Sequence, residues 1–344
     1  MRTRSFVSFI VFLASATALS VLGPVPSAPA APGGFDLQAH RGGRGETTEE
    51  SLRAFSKALQ LGVSTLELDI VLTKDNQPMV WHDPTVDPTK CSDTAPAFPG
   101  DPQYPYVGKL VHDLTIAQVH TLDCGKLLPN FPNAEVVRHN KIATLPEVFA
   151  LADSYRANVR YNIETKIEAE NRENSASPAE FVDVILPVIR AAGKIDKVEI
   201  QSFDWRSLPL VRQQEPSIPL VALWDDTTWV PDSPWLAGVN PAVVGDPITG
   251  ATMVGANILS PGYSVPTGLT TKDPNFALVA DKAFIERAHA LGLQVIPWTI
   301  DDADVMRAQI AAGADGIITD YPTLLRSVMA GLGMPLPPAY HRVS

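Results

Sequence analysis

One continuous stretch concentrates the side chains that could do chemistry together. Leu37 to Pro84 reads LQAHRGGRGETTEESLRAFSKALQLGVSTLELDIVLTKDNQPMVWHDP and holds His40, Arg41, Glu67, Asp69 and His82. Two imidazoles, a guanidinium and two carboxylates on one face would suit metal-assisted attack on a phosphodiester. The carboxylates would hold a cation, the guanidinium would grip phosphate oxygens, and the imidazoles would move protons near neutral pH. Glu67 and Asp69 lie two apart in TLELDIV, so on a strand they share a side while Leu66, Leu68 and Ile70 take the other. Like charges held that close repel, which a hard divalent cation, Mg²⁺ or Ca²⁺, would relieve. A solvated strand face is the plain alternative. His40 follows FDLQA and His82 follows PMVW, the places where buried strands of a parallel sheet would surface. Either histidine alone reads as an ordinary structural or surface residue, but two of them flanking an acidic pair are a much rarer coincidence.

The elements that must position these residues alternate. Strands are expected near 35–40, 65–72, 158–164, 196–201, 217–223, 255–260, 293–298 and 315–319. Helices are expected near 48–61, 145–155, 178–192, 205–213, 281–291, 303–312 and 322–330. About eight strands in roughly 300 residues is the size of an α/β protein of the (β/α)₈ TIM-barrel class. A doubly wound open sheet is the other architecture with this alternation, but no glycine-rich phosphate fingerprint follows any strand. After the fifth strand the chain turns rich in Pro, Gly and Trp, which predicts a loop or short helix. Residues 84–141 interrupt the alternation as a small insertion after the second strand, with one helix-like piece over Leu114 to Gly125. His112-Asp113 repeats the His-Asp pair there, but it precedes a helix cap instead of ending an apolar strand, and is set aside.

The chain has 344 residues, 45% hydrophobic and 19% charged, which is the balance of a soluble globular protein. A net charge of -11 argues against nucleic acid as a partner. It leaves a small anionic substrate open, since Arg41, Lys166 and a metal act locally. Residues 1–30 read as a signal peptide: Arg2 and Arg4 lead, Phe6 to Leu22 form the apolar run, and Ala28-Pro29-Ala30 offers a cleavage site. A membrane anchor is the alternative, disfavoured because the run is short for a span and no second one follows. The protein is therefore expected to be secreted, with residues 31–344 as its mature barrel domain. Export favours a disulfide between Cys91 and Cys124 over two free thiols.

The stretch from His40 to Asp83 resembles the glycerophosphodiester phosphodiesterase family, which has HRG after the first strand, an ExxT-like helix start, an ELD strand and a terminal HD. Further matches are YNIETK (Tyr161 to Lys166), IQSFDWRSL (Ile200 to Leu208), VIPWTIDD (Val295 to Asp302) and ADGIITDYP (Ala314 to Pro322). The resemblance covers nearly the whole chain after about residue 35. It implies that the insertion leans over the active-site mouth, that Glu164 is the third protein ligand of one Ca²⁺ or Mg²⁺, and that Lys166 contacts the substrate phosphate. A structural salt bridge between Glu164 and Lys166 is the alternative. Gln201, Ser202 and Phe203 would be wall residues, and Trp298 would pack on a glycerol or alcohol moiety or belong to the core. Where relatives read PENT, this chain reads Thr48-Glu49-Glu50-Ser51. Glu49 keeps the family glutamate beside the site, and Glu50 replaces the asparagine.

The implied activity is hydrolysis of glycerophosphodiesters to glycerol 3-phosphate and an alcohol, with His40 and His82 as general acid and base. The glycerol 2-hydroxyl would attack first, and water would then open a cyclic phosphate. A sphingomyelinase D-like phospholipase or lyase of the same fold is the nearest alternative. A non-catalytic phosphodiester-binding protein is another, against which the two positioned imidazoles argue.

Overall fold

The computed structural model describes residues 34–342, so the expected signal segment lies outside the described residues. Among the described residues there are nine strands: β1 (Asp36–Ala39), β2 (Thr65–Leu72), β3 (Pro78–Val80), β4 (Arg160–Thr165), β5 (Val198–Ser202), β6 (Leu220–Trp224), β7 (Ile258–Pro261), β8 (Gln294–Val295) and β9 (Gly316–Thr319). Eight are hydrogen-bonded in the order β8-β7-β6-β5-β4-β2-β1-β9, with every one of these pairings parallel. The ends meet where Asp315 N–H donates to Val295 O at 2.9 Å and Ile318 N–H donates to Pro297 O at 3.1 Å. This nearly closed (β/α)₈ barrel carries helices α1 (Leu52–Leu61), α2 (Ile116–Val119), α3 (Leu145–Ser154), α4 (Pro178–Ala191), α5 (Ser207–Gln214), α6 (Pro241–Val244), α7 (Pro247–Met253), α8 (Lys282–Ala290), α9 (Ala303–Ala312) and α10 (Pro322–Gly331). Among the described residues no helix is long and apolar enough to cross a membrane.

Strand alternation sorts the side chains into two shells. Leu37, Leu66, Leu68, Ile70, Tyr161, Ile163, Val198 and Ile200 face outward and bury against Phe55, Phe149, Phe181 and Leu208 of the helices. The helices form because their apolar faces are framed by caps. In α4, Ser177 and Glu180 make a capping box, Pro178 opens the first turn, and Phe181, Ile185 and Ile189 recur on the buried face. α1 starts at Leu52, later than the pattern predicts. Glu50 sits in the left-handed region at φ 55, and the Ser51 side chain caps the helix by accepting from Ala54 N–H.

The run before His82 departs from the expected parallel strand. β3 pairs antiparallel with β2, with Ile70 opposite Val80 and Leu72 opposite Pro78. The linking turn is short, and a parallel return would need a crossover of about a dozen residues. The hairpin folds the chain back so that Trp81 N–H donates to Asp69 O at 3.0 Å, which brings His82 down beside the acidic strand. After β6 the Pro-rich stretch forms the two short helices α6 and α7.

Within residues 84–141, Val86, Tyr106, Val111, Leu114, Val119 and Leu122 build a satellite core with Val71, Met79 and Trp81. Cys91 and Cys124 form a disulfide inside it. Only a single helical turn, α2, survives of the expected helix, capped by Thr115 and Gln118.

Candidate active site

At the C-terminal ends of the strands a cleft of about 490 Å³ is lined by His40, Arg41, Glu67, His82, Glu164, Lys166, Gln201 and Trp298, together with Arg44, Phe203, Leu223, Thr299 and Ile318. Parallel barrels open their sites on this face because the loops after the strands meet there. Register explains the acidic cluster. β2 and β4 pair Asp69 with Glu164 and Glu67 with Asn162, so inward carboxylates from neighbouring strands arrive side by side. One oxygen each of Glu67, Asp69 and Glu164 lies within 4.8 Å of the others, and all three residues are buried.

His40 ends β1 in a single turn whose next residue, Arg41, is left-handed at φ 51. Gly42 follows at φ 78, and a Cβ there would come 2.9 Å from Ala54 Cβ of α1. Only glycine lets this turn press against the helix. His40 Nδ1 lies 2.5 Å from Asp320 Oδ1, and its Nε2 lies 4.0 Å from Glu67 Oε2. His82 Nδ1 lies 2.8 Å from Asp83 Oδ1. In each histidine a carboxylate occupies Nδ1, which leaves Nε2 as the ring nitrogen available to a substrate.

Arg41 N–H donates to Glu67 Oε2 at 2.8 Å. Its Nε lies 3.0 Å from Asp69 Oδ2, an ion pair whose N–H is not aligned for a hydrogen bond, and both Asp69 carboxylate oxygens are buried with no hydrogen-bond donor. Lys166 Nζ donates to Glu164 Oε1 at 2.7 Å and lies 3.9 Å from Asp69 Oδ1. The salt bridge weighed as an alternative for this pair therefore exists, and it sits inside the cleft.

The electrostatics follow from three buried acids and two cations at the base of the cleft. Burial pushes Glu67 well above the usual carboxylate range and Asp69 pushes it further. Burial lifts Glu164 to about 7, against the pull of Lys166. Asp69 is also penalised by burial, but Lys166 and Arg41 outweigh that and hold it below its ordinary value. Burial lowers His82 well below its usual range, helped by Lys166 and Arg41. His40 is lowered by burial, with Asp320 pulling the other way. Asp320 itself is drawn down to about 2, because His40 and Arg44 overcome its burial. Three oxygen donors with two orphaned oxygens, gathered where burial and then like-charge repulsion raise two of the acids, form a donor set that fits a hard divalent cation.

Two predicted residues sit differently from the rest. Glu49 stands behind Arg41, with its oxygens 3.5 Å from Arg41 Nη1 and 2.6 Å from Lys90 Nζ. Ser202 turns away from the cleft and accepts from Thr165 Oγ1 at 2.9 Å. Trp298 and Phe203 meet edge to face at 5.3 Å and wall one side. Asp320 was missed as a partner of His40. Its signal was the strand-ending acid in ADGIITDYP, which becomes meaningful once β9 pairs with β1 and puts Ala39 opposite Thr319. Lys90 was also missed; it bridges Glu49 and Asp83, 2.6 Å from each. His112, set aside from sequence, instead lies 3.2 Å from Glu173 O, with Nε2 toward that carbonyl.

Comparison with known proteins supplies the remaining observation. The glycerophosphoryl diester phosphodiesterase family profile matches residues 40–324, nearly all of the barrel. The chain belongs to this family. A glycerophosphodiester phosphodiesterase of Caldanaerobacter subterraneus subsp. tengcongensis is 27% identical, the match covering 85% of this chain and 97% of the relative. Among solved structures, a putative glycerophosphoryl diester phosphodiesterase from Silicibacter pomeroyi shares the fold with a TM-score of 0.70 and 24% identity, over 91% of this chain and 97% of that one. An Oleispira antarctica phosphodiesterase, solved with the product sn-glycerol-3-phosphate, matches at TM-score 0.62 and 19% identity, over 87% of this chain and 97% of that one.

Against the family pattern, Glu50 is the departure. It is buried and turned inward by its positive φ, and its Oε1 accepts Asp69 N–H at 2.9 Å. Burial, and then Asp69, push its carboxyl well above the usual range. A neutral carboxyl presents that N–H with the same kind of oxygen as the family's asparagine amide would.

Proposed function

We propose that this protein is a secreted glycerophosphodiester phosphodiesterase that releases glycerol 3-phosphate and an alcohol. The reading is carried by one observation: two histidines, each with Nδ1 held by a carboxylate, open into one cleft beside the buried triad Glu67, Asp69 and Glu164. Those three acids would hold one Ca²⁺ or Mg²⁺, which supplies charge neutralisation at the phosphate oxygens. Arg41 and Lys166 grip the remaining phosphate oxygens, Arg41 through its planar fork. Burial lowers His40 and His82, so one ring, neutral with its proton on Nδ1, accepts the proton of the attacking hydroxyl at Nε2. The other acts as the imidazolium, its charge stabilised by the carboxylate on Nδ1, and gives its Nε2 proton to the leaving alcohol. Asp320 and Asp83 hold the rings in the tautomer with the proton on Nδ1.

Arg44 stacks over Phe131 of the 84–141 segment with 4.9 Å from guanidinium to ring centroid, and Lys90 of the same segment lies in the ion-pair cluster behind Arg41. This supports a role for the insertion in shaping the mouth. Export through residues 1–30 is consistent with the Cys91–Cys124 disulfide.

The test is product analysis by phosphorus NMR on glycerophosphodiesters, with and without chelator. Chelator-sensitive appearance of glycerol 3-phosphate is expected. Accumulation of a cyclic phosphate as the end product would make the protein a lyase, and near-normal rates in both His40→Ala and His82→Ala would refute the assignment of the two histidines.

A further inference from the structure

Beneath the cleft, a chain of amides runs through the barrel interior from Glu67 toward the opposite end of the strands. Gln201 Nε2 donates to Glu67 Oε1 at 2.7 Å. Asn162 Nδ2 donates to Gln201 Oε1 at 3.0 Å and to Gln38 Oε1 at 2.8 Å. Gln38 Nε2 donates to Glu199 Oε1 at 2.9 Å and to Asp36 Oδ2 at 3.0 Å. Arg160 closes the bottom, with Nη2 3.2 Å from Asp36 Oδ2 and paired with Glu199. Gln38, Asn162 and Gln201 are at most 1% exposed, so bulk solvent does not reach them.

The direction of every bond in this chain follows from its ends. An ionised carboxylate only accepts. With Glu67 ionised as an ion ligand at the top, and Asp36 and Glu199 paired with Arg160 at the bottom, both glutamines turn their NH₂ groups outward and their carbonyl oxygens toward each other. The two oxygens converge on position 162, which must supply two donors. Asparagine does so with a single NH₂ group, and the count is then complete: its own Oδ1 is left buried without a partner. An orphaned acceptor is a cost that the surrounding bonds offset. Asn162 and Gln38 do not line the cleft, and neither is among the three carboxylates of the triad.

We propose that Asn162 and Gln38 are positioning residues for the divalent ion, acting through Gln201 to fix the Glu67 carboxylate from inside the barrel. Glu67 Oε1 is held by Gln201 and Oε2 by the Arg41 N–H, so the rotamer is set before an ion arrives and each oxygen keeps a lone pair for it. The proposal rests on the reading of Glu67 as an ion ligand.

The test measures ion affinity, not turnover. Calorimetric titration of the full mature chain with Ca²⁺ and with Mg²⁺ compares wild type with Asn162→Leu, which leaves both glutamine oxygens without donors, and with Asn162→Asp. The aspartate keeps the shape but removes the donors, so Gln201 turns over and presents its oxygen to Glu67. Ion affinity should fall roughly tenfold or more in folded protein, and further in Asn162→Asp than in Asn162→Leu. Lower melting temperatures with unchanged ion affinity in both variants would overturn the proposal, since a merely structural role predicts that result. Absence of ion binding to wild type would instead overturn the metal reading itself. If neither variant folds, nitrogen-15 NMR of wild type decides: the Gln201 side-chain amide signals should shift when the ion is added, and signals that stay put would refute the coupling.

Discussion

The barrel interior differs across its width. Strands β1, β2, β4 and β5 send Gln38, Glu67, Asp69, Asn162, Glu164 and Gln201 inward, while β6, β7 and β9 send Val221, Ile258 and Ile318, joined by Ile296 just past β8 and with Trp298 packed against them. Both halves come from the same kind of short parallel strand under the same kind of helix. In the apolar half, burial itself stabilises the fold. In the polar half every charge is desolvated, and that cost is met by hydrogen bonds among the inward side chains and by Arg41, Lys166 and Arg160. The difference separates the labours: one wall contributes stability and lowers the local dielectric, and the other spends stability on holding an ion-ready cluster.

That division can be broken or sharpened by substitution. The largest effect is expected in the polar half. His82→Ala should lower kcat by about 10²- to 10⁴-fold with the melting temperature nearly unchanged, measured as release of glycerol 3-phosphate. The converse is expected opposite it. Ile258→Ala should cost about 2–5 kcal/mol in denaturant unfolding while leaving Ca²⁺ affinity as in wild type; a parallel loss of affinity would show that the halves are not independent.

A smaller effect is expected at the seam, where Asp301 Oδ1 accepts from Asp320 N–H at 2.9 Å and Thr319 Oγ1 at 3.1 Å. Burial and the neighbouring Asp320 raise Asp301 from the ordinary 3.8 to about 7. A raised carboxylate favours folding fully below its unfolded value, and that contribution is lost as pH rises through the folded one. Asp301→Asn, which cannot titrate, should therefore gain stability relative to wild type between pH of about 4 and about 7, read from melting curves across that range. The smallest change is expected on the insertion. His112→Ala should alter stability by no more than about 0.5 kcal/mol and leave turnover unchanged, since its histidine-aspartate pair lies away from the cleft.

Much of the site was legible because strand periodicity is local. That Glu67 and Asp69 share a side, and that Leu66, Leu68 and Ile70 oppose them, followed from alternation, and the structure agrees. The eight barrel strands and the irregular stretch after β6 were legible for the same reason. The direction of β3 was not, because a four-residue apolar run has no period to read. Glu50 was also opaque: a single left-handed residue turns inward a side chain that helix periodicity leaves unplaced.

By itself the sequence determined the order of the elements, the face on which each strand carries its acids, and the family, since these depend on neighbours a few residues apart. The tertiary structure decided which distant residues meet. Asp320 reaches His40 across 280 positions because β9 closes on β1. Asn162, Gln38 and Gln201 form one hydrogen-bonded chain because three strands place them at successive levels of the barrel interior. Such pairings are set by barrel register and closure, which no local pattern encodes.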